Sequence, residues 1–92
     1  MLCSFEQALE FAKDYGDRYG APGFFIAESR AEKYPGYTFI AFDGPDQKQL
    51  SIPVATWSNG QEFITVAIGV VARYVRHNGC WLREDLEGGQ DA

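Results

Sequence analysis

The apolar segment 61–77 constrains the fold of this chain more than any other feature, because its residues fit either a long helix or a long strand. Its strand-forming residues are Ile64, Thr65, Val66, Ile68, Val70 and Val71. The residues that recur at helical spacing are Phe63, Ile64, Ala67, Ile68, Val71, Tyr74 and Val75. Asn59-Gly60 is typical of a hairpin turn before a strand, whereas Asn78-Gly79 is typical of a helix C-terminus. We therefore predict a second long helix over 61–77, with a strand as the alternative.

The first helix has a clearer local signal. Ser4 followed by Gln7 forms a capping box, and Gly20 ends the run of helical spacing. The apolar positions between them are Phe5, Ala8, Leu9, Ala12, Tyr15 and Tyr19. Gly16 is the one weak helix former in this stretch, which suggests close packing or an early end. We predict an N-terminal helix that buries this apolar side.

Strand signals follow at 24–27, 37–42 and 49–57, separated by residues typical of turns. Pro53 removes a backbone donor, so the third strand must be broken or lie at an edge. The short connections favour a three-stranded antiparallel meander. Together with a short C-terminal strand at 80–83, these elements predict an α+β fold: an N-terminal helix, the meander, a second long helix, the short strand and an acidic tail.

The chain is long enough for one core only. It has 92 residues with 46% hydrophobic content, so we predict one domain over residues 1–83 and a flexible acidic tail over 84–92. The N-terminus carries Glu6 and Glu10 and no basic region, unlike a signal peptide, and no apolar stretch is long enough to span a bilayer. We expect a cytoplasmic protein.

The residues provide no enzyme signature. His77 and Cys80 are the one conceivable nucleophile pair, but no third group stands at a spacing that would orient them. The cysteines, Cys3 and Cys80, are expected to be reduced and buried, and with one histidine they cannot build a zinc site. We predict a protein that is not an enzyme and needs no metal or cofactor.

The charges point to a protein partner. A net charge of −5 argues against direct binding of nucleic acid or of an anionic membrane. Four carboxylates follow one side of the first helix at Glu6, Glu10, Asp14 and Asp17. Four positions advance a helix by about 6 Å, a spacing similar to that of phosphates along a nucleic-acid strand. We predict that this acidic stripe contacts the partner; the alternative is a solvated face that keeps the protein soluble.

A compact acidic domain without catalytic or metal motifs resembles the small phage-encoded inhibitors of the anti-CRISPR type. The resemblance is one of size and charge over the whole chain. It implies a non-catalytic inhibitor that docks on an RNA-guided surveillance complex in the host cytoplasm and blocks its nucleic-acid path. We expect the partner to be a protein or nucleoprotein complex with a basic groove, and the chain to be a monomer or a homodimer. The alternatives are an interaction module with exposed aromatics around Tyr34, Tyr37 or Trp57, and a small enzyme that uses His77 and Cys80.

Overall fold

A computed structural model describes residues 2–50 and 53–84 and shows one helix and five strands in them. The elements are α1 (Phe5–Tyr19), β1 (Gly23–Ser29), β2 (Tyr37–Ala41), β3 (Val54–Ser58), β4 (Phe63–His77) and β5 (Cys80–Glu84). The strands form one antiparallel sheet of order β2-β1-β4-β3, with β5 also paired with β4, and α1 packs on β1 and β2. The fold is therefore mostly β, and the prediction of an α+β fold with a second long helix is wrong.

The segment predicted as the second helix is the central strand β4. One of its edges pairs with β1 over residues 68–75. Its other edge pairs with β3 over residues 63–67 and with β5 over residues 73–77. The high content of β-branched residues suits this position, because such side chains pack well on a pleated surface.

A β-bulge interrupts the alternation of side chains along β4. Ile26 pairs with Ala72 and Ala27 pairs with Val70, so Val71 is an extra residue on β4. Such an insertion moves the following side chains to the opposite face of the strand. Before the bulge, Val66 and Ile68 are buried in the cluster opposite α1, whereas after it Ala72 and Tyr74 are buried in the cluster under α1. The apolar positions of β4 therefore do not alternate strictly, although the segment is a strand.

The position and the caps of the N-terminal helix are confirmed, but not the burial of Tyr15 and Tyr19. The Ser4 Oγ accepts a hydrogen bond from the Gln7 backbone N–H at 3.1 Å, and the Gln7 side chain accepts one from the Ser4 N–H at 3.2 Å. Gly20 ends α1 in the left-handed region with a φ of 70°. The packed side of α1 consists of small residues, which lets the helix approach the sheet closely: Ala8, Ala12 and Gly16.

The predicted meander is wrong in its third strand. Strands β1 and β2 form the expected antiparallel pair, but β3 pairs with β4 and not with β2. Pro53 directly precedes β3, which lies at an edge of the sheet, as a proline requires. The short C-terminal strand is confirmed as β5. It includes Glu84, which we assigned to the tail, and residues 85–92 lie outside the described residues.

Apolar residues are buried on both sides of the sheet. The cluster under α1 contains Ala8, Ala12, Phe24, Ile26, Ala72 and Tyr74. The cluster on the opposite side contains Ala27, Val66 and Ile68, with partly buried neighbours that include Tyr34 and Trp57. Strand β4 contributes to both clusters, so no single alternation of apolar and polar residues runs along its length.

Arg73 is the one buried charged residue in the described part of the chain, with 3% of its surface exposed. Its guanidinium donates to the Gln47 carbonyl from Nε at 3.1 Å and from Nη2 at 2.7 Å, and it forms an ion pair with Glu84. It also lies 4.5 Å from the centre of the Phe42 ring. These contacts fix the segment after β2 to the sheet.

The turn between β4 and β5 depends on a backbone conformation that favours glycine. Asn78 and Gly79 have φ values of 53° and 79°, which identify a type I′ turn in place of the predicted helix cap. We expect Gly79→Ala to lower the free energy of unfolding by about 1 kcal/mol, because alanine is strained at positive φ. Urea unfolding measures this effect. Gly44→Ala is the control, since Gly44 has open space and no positive φ; an equal loss there would contradict the assignment of the turn.

Candidate protein-interaction surface

The four carboxylates predicted to contact a partner lie exposed on α1, but two of them bind side chains of this chain. Asp14 pairs with Arg18, with 3.0 Å between Oδ2 and Nε. Asp17 pairs with Arg76, with 3.2 Å between Oδ1 and Nη2. Among the described residues, Glu6 and Glu10 have no such ion pair. The charge of two of the four carboxylates in the predicted acidic stripe is therefore partly neutralised. The role of the acidic stripe in binding stays a prediction.

Asp17 has a structural role that the sequence did not indicate. Its Oδ1 also accepts a hydrogen bond from the indole Nε1 of Trp81 at 3.3 Å. Arg76 donates to the Gly16 carbonyl at 3.0 Å and lies 4.2 Å from the centre of the Trp81 ring. These contacts attach the C-terminal end of α1 to the hairpin of β4 and β5.

This attachment can be tested by comparing two carboxylates of the same helix. We expect Asp17→Ala to lower the free energy of unfolding by about 1 kcal/mol, because hydrogen bonds to Arg76 and Trp81 are lost. Asp14→Ala removes only an exposed pair within one helix and should cost a few tenths of a kcal/mol. Chemical unfolding of both variants gives the comparison, and a larger loss for Asp14→Ala would contradict the structural role of Asp17.

Three exposed aromatic residues form a stripe on the side of α1 that faces β2. Phe11, Tyr15 and Tyr19 are spaced by four residues and are 58%, 41% and 69% exposed. The Tyr15 ring lies 4.7 Å from the Tyr19 ring and 5.6 Å from the ring of Phe39 in β2, between centroids. We call Phe11, Tyr15 and Tyr19 the aromatic stripe.

The sequence analysis missed this stripe because it assigned Tyr15 and Tyr19 to the buried side of the helix. The available signal was residue size. Small residues at positions 8, 12 and 16 mark the side that packs closely, and the larger aromatic residues lie beside it. Phe11 was not included in the predicted apolar side.

The outer edge of β2 borders the aromatic stripe and is paired only at its start. Tyr37 exchanges two backbone hydrogen bonds with Cys3, at 2.7 and 2.9 Å. Successive residues of a strand direct their backbone groups to opposite edges, so Phe39 and Ala41 face outward in the same way as Tyr37. No backbone group of the described residues pairs with Phe39 or Ala41 on that edge.

A groove of about 240 Å³ separates α1 from this edge. It is lined by Cys3, Ala8, Phe11, Thr38 and Phe39. A second depression is lined by Ser4, Glu6, Gln7, Glu10 and Phe11. Phe11 therefore lines both the apolar groove and an acidic depression, which places the two carboxylates without an ion pair next to an exposed aromatic residue.

The aromatic residues of the alternative hypothesis do not share a surface. Tyr34 and Trp57 contact each other edge to face, with 5.9 Å between ring centroids, in the cluster opposite α1. Tyr37 packs against Phe5 in the cluster under α1, with 5.4 Å between centroids. All three side chains are half-buried. These three residues do not form one exposed surface, and their role in binding stays a prediction.

His77 and Cys80 are paired across the turn between β4 and β5. Both residues are exposed, so the expectation of a buried Cys80 is wrong, while Cys3 is half-buried and both thiols are free. Among the described residues, no hydrogen bond orients either the imidazole or the thiol. The pair lies at a hairpin tip without a surrounding pocket in the described part of the chain.

Comparisons of the chain with protein families, with curated proteins and with solved structures find no match. In the described ranges, no group of three or more His, Cys, Asp or Glu residues could hold a metal ion. The helix of the described part is too short and too polar to cross a membrane. The resemblance to anti-CRISPR proteins stays a proposal.

Proposed function

We propose that this chain is a non-catalytic, cytoplasmic protein that binds another protein through the aromatic stripe of α1. The aromatic stripe carries the proposal, because three large exposed aromatic side chains on one side of a helix form an apolar surface that solvent does not favour. Aromatic residues are enriched at the centres of protein interfaces, where they supply much of the binding energy.

The chemistry of the surface defines the partner. Glu6 and Glu10 border the aromatic stripe, and the chain carries a net charge of −5. A complementary partner has an apolar cleft for the aromatic side chains and Lys or Arg residues along its rim. Proteins that handle nucleic acids have such basic grooves, and a protein bound there would block the path of the nucleic acid.

The carboxylates support this inhibitory role as a second, more specific candidate function. Glu6 and Glu10 are one helical turn apart, so their carboxylates are about 6 Å from each other along the axis. This spacing suits neighbouring phosphate sites in a basic groove. Asp14 and Asp17 contribute less, because each already binds an arginine of this chain.

The main proposal predicts that capture of a partner depends on the aromatic stripe. We expect Phe11→Ser with Tyr19→Ser to reduce the protein captured from bacterial lysate at least about tenfold, as truncating two interface anchors does. Phe63→Ser is the matched control, since Phe63 is 80% exposed but lies on β4 away from α1. Quantitative mass spectrometry of the captured proteins gives the ratio. Equal capture by the stripe variant and the wild type would refute the proposal.

A charge series separates the inhibitory candidate from purely apolar docking. Glu6→Lys with Glu10→Lys is compared with Glu32→Lys and Glu62→Lys, which changes the net charge equally at exposed positions outside α1. Loss of capture in the first variant alone, together with weaker capture at high salt, supports a basic groove. Equal capture by both variants would show that Glu6 and Glu10 do not contribute to the interface.

A further inference from the structure

We propose that the partner contributes an extended, cationic segment that pairs as an additional strand with the outer edge of β2. This inference rests on the proposed function and specifies how the partner binds. The segment would lie under the aromatic stripe, with backbone hydrogen bonds to β2 and one apolar side chain in the groove between α1 and β2.

The edge itself provides the backbone part of the site. The N–H and C=O groups of Phe39 and Ala41 face outward, and the pairing of Cys3 with Tyr37 ends before them. Unpaired strand edges are templates for extended peptides, which gain affinity from main-chain hydrogen bonds. A segment paired with β2 would add a sixth strand to the five strands of the sheet.

The groove beside the edge provides the side-chain part of the site. In a strand, every second side chain points to the same face, at intervals of about 6.8 Å. A segment paired with β2 would direct alternate side chains toward α1, where Phe11 and Phe39 line the apolar groove. The next side chain on that face would lie near the aromatic stripe or near the acidic depression, depending on the register of the segment along β2.

The charge of the surface distinguishes a cationic segment from a second copy of this chain. Glu6 and Glu10 line the depression next to the groove and have no ion pair among the described residues. Pairing of two copies through β2 would bring these carboxylates, and two net charges of −5, toward each other. Lys or Arg residues in a partner segment would instead neutralise them.

The substitution Ala41→Pro is expected to block the edge without disturbing the rest of the sheet. The Ala41 N–H faces outward, so β1 does not use it, and proline is tolerated on edge strands for this reason. Ala41→Val is the matched control, because valine keeps the N–H and suits a strand. Circular dichroism and thermal unfolding establish that both variants keep the fold before they are compared.

The probe is a ten-residue peptide of alternating Val and Lys, titrated into 15N-labelled protein. We expect the largest amide shifts at Phe39 and Ala41, and binding at least about tenfold weaker for Ala41→Pro and for the peptide N-methylated at alternate amides, because backbone hydrogen bonds are lost. No binding at about 1 mM, or equal binding of the two peptides, would overturn the inference, since ~1 mM already represents only ~4 kcal/mol of binding free energy.

Capture from lysate separates failure of this inference from failure of the proposed function. Loss of capture for Ala41→Pro but not for Ala41→Val supports strand pairing. If Ala41→Pro still captures the partner while the variant of Phe11 and Tyr19 does not, the inference is overturned and the proposed function stands. If both variants capture it, the proposed function fails. A wild-type dimer in sedimentation that Ala41→Pro dissociates would overturn the cationic segment in favour of a second copy.

Discussion

Replacing Phe24 by alanine is expected to lower the free energy of unfolding by about 4 kcal/mol, because a large buried aromatic side chain is removed from the core. Phe24 is 1% exposed and stacks on Tyr74 with 5.2 Å between ring centroids. The Phe24 ring also packs against the Trp81 ring, with 5.0 Å between ring centroids, so one side chain connects β1, β4 and β5. Urea unfolding followed by circular dichroism measures the loss.

The comparison for Phe24 is the same truncation at an exposed position. Phe63→Ala should change the free energy of unfolding by no more than about 0.5 kcal/mol, because Phe63 is 80% exposed and little buried surface is lost. Similar losses for the two variants would contradict the location of the core under α1.

Replacing Arg73 by methionine has the second largest expected effect, a loss of about 3 kcal/mol in the free energy of unfolding. Methionine keeps much of the side-chain volume but removes the two hydrogen bonds that the Gln47 carbonyl accepts from Arg73. Glu84, which is 43% exposed, loses its partner but can be solvated by water, so the loss stays below that of a fully buried pair.

Arg76→Met is the control for Arg73. The Arg76 side chain is 31% exposed, and its bonds to Asp17 and Gly16 lie near solvent, so we expect a loss of about 1 kcal/mol. Thermal and urea unfolding of the two variants give the comparison. An equal or larger loss for Arg76→Met would contradict the role of Arg73 in fixing the segment after β2.

Local signals in the sequence were sufficient for α1. The capping box of Ser4 and Gln7 and the left-handed Gly20 are contacts within a few residues, so they can be read without the rest of the fold. Pro53 was similarly informative, because a missing N–H restricts a strand to an edge in any tertiary context.

The periodicity of 63–77 was misleading, because the side chains that this segment buries depend on its pairing with other strands of the sheet. Val66 and Ile68 pack on one side of the sheet, and Ala72 and Tyr74 on the other, so the buried positions of β4 change faces along the strand. The bulge at Val71 shifts the alternation, and the exposed Phe63 and Ala67 add apolar positions that fit helical spacing. The β-branched residues of the segment were the better guide, because they indicated a strand.

The pairing of β3 and the position of the proposed binding surface could not be predicted for a similar reason. The sequence shows that β3 must be an edge strand, but not which strand lies next to it. The acidic residues were identified from α1 alone, whereas Asp17 is engaged by Arg76 and Trp81, about sixty residues away in sequence. The aromatic stripe is exposed because the small residues beside it take the packed side of the helix.

The most direct test of the proposed surface is an NMR titration of 15N-labelled protein with the captured partner. The surface proposed here predicts that line broadening and amide shifts concentrate at Phe11, Tyr15 and Tyr19 and at the outer edge of β2, while the hairpin of β3 and β4 changes little. Changes concentrated on β3 and β4, with α1 unaffected, would contradict it.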